Sequence, residues 1–262
     1  MLKQIVISIL FILIVVSCAV TPLGRKQFAF LPADELNAMG IEAFNQMKET
    51  TPTETDPATV NYVLCVSNSI VAVTQSDVKN WEVGVFQDDT ANAFALPGGK
   101  MGVHTGLLKV ARNQHQLATV LGHEVGHVLA SHGNERMSQN FALEQGLGLL
   151  AALANVQSEQ GKMILGALGV GAQFGILLPY SRLQESEADE LGLYLMAQAG
   201  FDPRESVTLW QNMSQAGGEQ PPEFLSTHPS HSTRISGLQQ SMPKALNYYQ
   251  SAQSQGRRPN CS

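Results

Sequence analysis

The sequence predicts an α+β fold in which helices dominate. Long segments with apolar residues at helical spacing fill most of the chain, and one region of short alternating runs is folded about a Pro-Gly-Gly turn. At 262 residues and 44% hydrophobic, the chain can bury a sizeable core in one large or two small domains. A formal net charge of −6 with no basic block leaves no footprint for gripping nucleic acid, so none is expected as a partner.

The elements follow in order. Ala33 to Lys48 and Ala58 to Val73 are predicted packing helices, the second with Val60, Val63, Leu64, Ser67, Ile70 and Val71 on one stripe. Glu82 to Phe86 alternates, and Ala91 to His104 reads as two strands around Pro97-Gly98-Gly99-Lys100. A helix is expected from near Thr105, and Gln114 to about Met137 is rich in helix formers without a proline. Gly146 to Leu178 is Gly/Ala/Leu-rich and nearly uncharged; a membrane hairpin is one reading, but each apolar half is short, which favours ordinary buried or cleft-covering helices. Ser181 to Ala199 and Pro203 to Ala216 complete the helices, the last with Asp202 as N-cap, Pro203 in the first turn and Glu205 at N3. The body is thus placed at 33–250, with a flexible tail over 251–262.

The N-terminus opens with Lys3, an apolar run from Ile5 to Val16, then Ser17-Cys18-Ala19, the order of a secretory signal over 1–17. That run reaches roughly 18 Å as a helix against a hydrocarbon core of about 30 Å, too short to span. Val15-Val16-Ser17-Cys18 resembles a bacterial lipobox, which implies lipidation of Cys18, a linker over 18–32 and a membrane-anchored body. Ala19 after the cysteine favours an outer-membrane, periplasm-facing position in a bacterial cell envelope over the inner membrane. Cys65 and Cys261 then stand in an oxidising compartment, where they either pair or leave Cys65 as a buried thiol.

His123-Glu124-Val125-Gly126-His127 is an HExxH motif. Residues four apart share one helix face, so two imidazoles can reach one ion while Glu124 turns towards a water beside it. Chance produces this pattern in roughly one such chain per hundred, so a Zn²⁺ site is expected. A hydrolytic zinc needs a third protein ligand and an open position. His132 lies about 180° round from His123 on a continuous helix, which turns it away. In Ser181 to Glu190 the arc marked by Ala188, Leu191, Gly192, Leu195 and Met196 includes Glu185, while Glu187 and Glu190 fall on the solvated side. A buried carboxylate needs a partner or a metal, which makes Glu185 the third ligand. Asp189, at the edge of the arc, suits accepting the free ring N–H of a ligating histidine.

These residues resemble the M48 zinc metallopeptidases. The resemblance runs from about Asn92 to Ile235 and rests on four blocks: Asn92 to Gly99, His123 to His127, Ser181-Arg182 through Glu185 to Ala188-Asp189, and His228-Pro229 with Arg234-Ile235. It implies a zincin-like metallopeptidase fold, with the HExxH on its active-site helix and a small edge-strand hairpin, and zinc ligation by Glu185, in agreement with the helical wheel. It also implies that His228 reaches the active site, where it would donate to the oxyanion, with Arg234 ordering its loop. The membrane helices of some members are not read here, and the periplasmic lipoprotein branch is the better match. On this reading Glu124 is the general base, and Asn92, Ala93, Phe94 and Ala95 form a strand that pairs with an extended substrate backbone, unless the segment is only a buried hairpin. The expected function is a zinc endopeptidase for unfolded or misassembled cell-envelope polypeptides, with envelope assembly machinery as a possible partner. The alternative is an anchored, chaperone-like assembly factor with a gated peptidase site. A purely structural zinc fits less well, because three ligands beside a general base leave the site open.

Overall fold

The computed structural model describes residues 18–76, 78, 80–153, 178–216 and 234–261. Residues 1–17, over which a signal was expected, residues 154–177 of the Gly/Ala-rich stretch, and the block holding His228 lie outside them. The expected α+β class with dominant helices is what the structure shows. In chain order come β1 (Cys18–Val20), β2 (Lys26–Phe28), α1 (Ala33–Thr50), α2 (Pro57–Val71), β3 (Glu82–Phe86), β4 (Ala93–Leu96), β5 (Lys100–His104) and α3 (Leu107–Val110). Then follow α4 (Gln114–Leu129), α5 (His132–Leu153), α6 (Leu178–Gln198), α7 (Glu205–Ala216) and α8 (Arg234–Ser254).

Local chemistry sets these boundaries. Asp56 caps α2 by accepting from the Thr59 amide, with Pro57 in the first turn, and Asn113 caps α4 by accepting from the amides of His115 and Gln116. The three-stranded sheet has the order β3-β5-β4, β5 running parallel to β3 and antiparallel to β4. Gly98 and Gly99 turn the β4–β5 hairpin at φ +82° and +74°, where a side chain would be strained. Helix α4 is the centre of the molecule: every residue from Gln116 to His127 is buried, among α2, β4, α6 and α7. Leu117, Leu121, Leu193, Met196, Leu209 and Ile70 belong to the core around it.

Four expectations are corrected. The stretch from Gln114 to Met137 is two helices, because the chain turns at Ser131 with φ +54°. Helix α7 begins at Glu205 instead of Pro203; Asp202 accepts from the Arg204 amide, and Glu205 reaches across to the side chains of Asn113 and Gln116. The segment 18–32 is no plain linker, since β1 and β2 pair antiparallel from Cys18↔Phe28 to Val20↔Lys26. Nor do residues 251–261 trail away: α8 continues to Ser254, and Cys261 is buried and disulfide-bonded to Cys65 on α2, which decides between the two readings of those thiols.

Candidate active site

Helices α4 and α6 cross in direct backbone contact. A Cβ on Gly192 would stand 2.6 Å from the His123 nitrogen, and one on Gly122 would stand 2.8 Å from the Gly192 carbonyl oxygen. This close approach lets the short Glu185 side chain meet both histidines of the other helix. The Nε2 atoms of His123 and His127 lie 3.0 Å apart, and the Glu185 carboxylate stands 3.3 Å from each of them. Ligands held at ~2.0–2.2 Å around a tetrahedral ion are spaced about 3.3–3.6 Å from one another, so these three buried groups fit one metal ion. Glu124, one residue on from His123, and His127 line the same open groove of ≈ 1410 Å³, together with Phe94, Ala95, Tyr194 and Tyr248.

The surroundings orient each imidazole. His123 Nδ1 is 3.0 Å from Asp189 Oδ1, and Asp189 in turn is gripped by Arg234 through Nε at 2.6 Å and Nη2 at 2.7 Å. Arg234 lies over the Trp210 ring at 3.7 Å, which fixes the guanidinium plane. The structure thus brings both Asp189 and Arg234 to the back of the site. Burial and the Arg234 charge push His123 downward, but bonds to Asp189 and Glu185 outweigh them and raise it to about 9 in the metal-free chain. For Asp189, burial pushes upward and is outweighed by Arg234 and His123, which lower it. Burial and the neighbouring His123 hold His127 well below the ordinary histidine value, which keeps its ring neutral.

Behind His127 the structure departs from the expectation for His132. The turn at Ser131 breaks the helical register, so His132 swings back under the site, fully buried, with its Nδ1 2.8 Å from His127 Nδ1. Glu187, expected on a solvated face, is also buried, 3.2 Å from His132 Nε2 and bonded to Thr21 and Arg25. The wheel assumed one buried arc, whereas α6 is enclosed by α4, by α8 and by the β1–β2 hairpin. Burial pushes Glu187 upward, but its bonds to His132, Thr21 and Arg25 win and bring it down to about 2.

On the groove side β4 is an edge strand, and the Ala95 amide donates to Glu124 Oε2 at 3.2 Å. Phe94 packs over Gly102 of β5 and stacks with Phe86, while Ala93 and Asn92 are buried. His228 lies outside the described residues.

Comparison with known proteins decides the family. Residues 57–242 match the model of peptidase family M48. The chain belongs to that family. The mitochondrial metalloendopeptidase OMA1 of Schizosaccharomyces pombe is 37% identical over 85% of this chain and 65% of its own length, and human metalloendopeptidase OMA1 is 34% identical over 86% and 44%. The beta-barrel assembly-enhancing protease of Yersinia pestis is 30% identical over 82% of this M48 chain and 45% of its own length. The chain therefore spans about half to two thirds of the length of these relatives. The expected placement as a bacterial outer-membrane lipoprotein is corrected by this comparison, because the relatives at 34–37% identity are mitochondrial proteins. Among the described residues no helix is long and apolar enough to cross a membrane.

Proposed function

We propose that this M48 chain is a zinc-dependent endopeptidase that cuts extended or unfolded polypeptide segments in protein quality control. The observation that carries the proposal is the buried triangle of His123, His127 and Glu185 opening on the groove that Glu124 lines. Two imidazoles and one carboxylate are a zinc donor set that leaves a coordination position free. When bound, the ion acts as a Lewis acid that polarises a carbonyl and acidifies water. Glu124 takes a proton from the attacking water and passes it to the departing amine. Asp189 accepts from His123 Nδ1–H and keeps that ring's Nε2 turned to the metal, while Arg234 holds Asp189 in place. His228 serves as the donor to the oxyanion that develops on the carbonyl.

The edge of β4, from Asn92 through Ala93 and Phe94 to Ala95, is the surface for an extended substrate backbone. The outward Ala95 amide supports this reading, since it points off the sheet to the same carboxylate that works on the water. A folded domain cannot present a free strand there, which selects unfolded segments and loops. A groove larger than the ~300–1,000 Å³ of a small-molecule pocket supports a polymer as the occupant. The names of the relatives, a mitochondrial metalloendopeptidase and a beta-barrel assembly-enhancing protease, support a protease role in quality control.

The test compares cleavage of a reduced, carboxymethylated protein by the zinc-loaded chain and by Glu124→Gln, with bound zinc quantified in both. Loss of cleavage by at least about 10²-fold in the variant with zinc retained is the expected result. Equal cleavage by both chains, or a folded chain that takes up no zinc, overturns the proposal.

A further inference from the structure

One buried polar chain in the molecule is not used by the hydrolytic reading. It begins at the Nδ1 of His127 and ends on the β1–β2 hairpin, more than a hundred residues earlier in sequence. His127 Nδ1 meets His132 Nδ1 at 2.8 Å, and His132 Nε2 meets Glu187 Oε2 at 3.2 Å. Arg25 Nε donates to the same Glu187 oxygen at 2.6 Å, and the Thr21 hydroxyl donates to the other. The two terminal nitrogens of Arg25 grip Glu135 as a fork at 2.8 and 2.7 Å, and Gln184 donates to Glu135 at 2.8 Å. His132 and Glu135 are fully buried and Glu187 nearly so.

Proton accounting gives this chain a single direction. A metal bound at His127 Nε2 leaves the ring proton on Nδ1, so Nδ1–H must donate. His132 Nδ1 is therefore the acceptor, its own proton sits on Nε2, and that proton goes to Glu187. Glu187 accepts from His132, Thr21 and Arg25 together, which it can do only as a carboxylate. Every tautomer from the ligand to the hairpin is thus fixed by its neighbour. Burying so many charged groups gives little net stability in return, but it fixes geometry. His123 has its own support in Asp189 and Arg234, whereas the support for His127 runs through a second imidazole to the N-terminal hairpin.

We propose that His132, Glu187 and Arg25 are positioning residues of the metal site, so that the docked β1–β2 hairpin holds the His127 ring in its ligating orientation. The proposal rests on the zinc reading of His123, His127 and Glu185. Removing His132 takes away the acceptor of His127, and removing Arg25 lets Glu187, and then His132, turn. Losing such a support behind a ligand typically weakens a site roughly 10- to 100-fold.

The experiment measures zinc dissociation constants by chelator competition, the ligand-field spectrum of the Co²⁺-loaded chain, and the melting temperature of the metal-free chain. It uses the full chain and the variants His132→Ala, His132→Gln, Arg25→Ala and Arg25→Lys, with Asn134→Ala as the control. Asn134 bonds the Leu31 backbone, so its loss loosens the same N-terminal segment without touching the relay. The expected result is zinc weakened roughly 10- to 100-fold in His132→Ala and in the same direction in Arg25→Ala, with an altered Co²⁺ spectrum. Gln can both accept and donate, and Lys keeps one ion pair, so both should recover part of the loss. Asn134→Ala should melt lower yet bind zinc like the parent. Zinc constants within twofold of the parent in folded His132 and Arg25 variants, or losses equal to that of Asn134→Ala, overturn the proposal and leave the hairpin a structural clamp. If the parent chain itself binds no zinc, the metal reading fails first and the relay falls with it. Should the alanine variants not fold, the Gln and Lys variants carry the decision: zinc binding unchanged in both overturns the relay.

Discussion

At the residue scale the site is an arrangement of protons as much as of ligands. In the metal-free chain His123 is held at about 9 because the bonds and charges of Asp189 and Glu185 outweigh burial and Arg234. A ligating imidazole must be neutral, so zinc uptake near pH 7.5 should release about one proton, and affinity should rise with pH until about 9 and then level off. Calorimetry in two buffers of different ionisation heat reads that proton directly; uptake with no proton release contradicts the prediction. In the metal-free chain the same raised value contributes stability that is complete below the unfolded histidine pKa of about 6.5 and is lost as pH rises through about 9. Glu187 has the opposite sign. Its folded value of about 2 lies below the ordinary carboxylate, so its contribution is present above about pH 4.3 and disappears as pH falls towards 2. Acid melting of the metal-free chain should therefore be flatter between pH 4.3 and 2 in Glu187→Gln than in the parent, over a range of roughly two pH units.

At the element scale the site depends on how closely α4 and α6 approach. Gly122 and Gly192 let the two backbones touch, and only at that separation does Glu185 reach the Nε2 atoms of His123 and His127. Gly192→Ala places a Cβ 2.6 Å from the His123 nitrogen, which neither backbone can absorb without moving apart. Such overpacking typically costs ~1–3 kcal/mol, and here the shift also separates the ligands. The expected outcome is a lower melting temperature together with weaker zinc binding, whereas Gly146→Ala, whose Cβ would meet nothing within 4 Å inside α5, should leave zinc binding unchanged and raise stability by the ~0.5–1 kcal/mol that Ala gains over Gly in a helix. Sequence periodicity read most of these helices correctly because their apolar residues repeat at helical spacing. It failed at Ser131, where a single left-handed residue resets the register and brings His132 under the site. It failed again on α6, where Arg182, Leu183 and Ser186 are exposed but the β1–β2 hairpin covers Glu187 through Thr21 and Arg25, a tertiary contact that no helical wheel contains.

At the scale of the whole molecule the two ends of the chain are tied to the body by different chemistry. The hairpin is held through Arg25 and Thr21, and the C-terminus through the Cys65–Cys261 disulfide, which closes 196 residues. A cross-link over so long a loop stabilises mainly by restricting the unfolded chain, by roughly 2–5 kcal/mol. Reduction under native conditions should therefore lower the melting temperature, and Cys261→Ser should reproduce the loss and abolish any further effect of the reductant. An unchanged melting temperature on verified reduction contradicts this. The disulfide could not be read from the sequence, since two thiols far apart in the chain pair only if the fold brings their Cα atoms within reach, here 5.6 Å.

What the sequence determined by itself was whatever a local repeat can encode. The HExxH spacing puts two imidazoles on one helix face, the apolar arc marks Glu185 as a costly buried acid, and the Pro-Gly-Gly turn folds the edge hairpin. Those rules act within one element, where fixed rise and rotation make residue numbers into directions. Only the tertiary structure decided what lies behind the ligands. Arg25 of the β1–β2 hairpin, Glu187 of α6, and His132 and Glu135 of α5 come from three separate parts of the chain, and their meeting depends on where the hairpin docks and where α4 ends. Hydrogen bonds between distant segments leave no periodic trace, because their spacing is set by packing and not by the geometry of any one helix or strand.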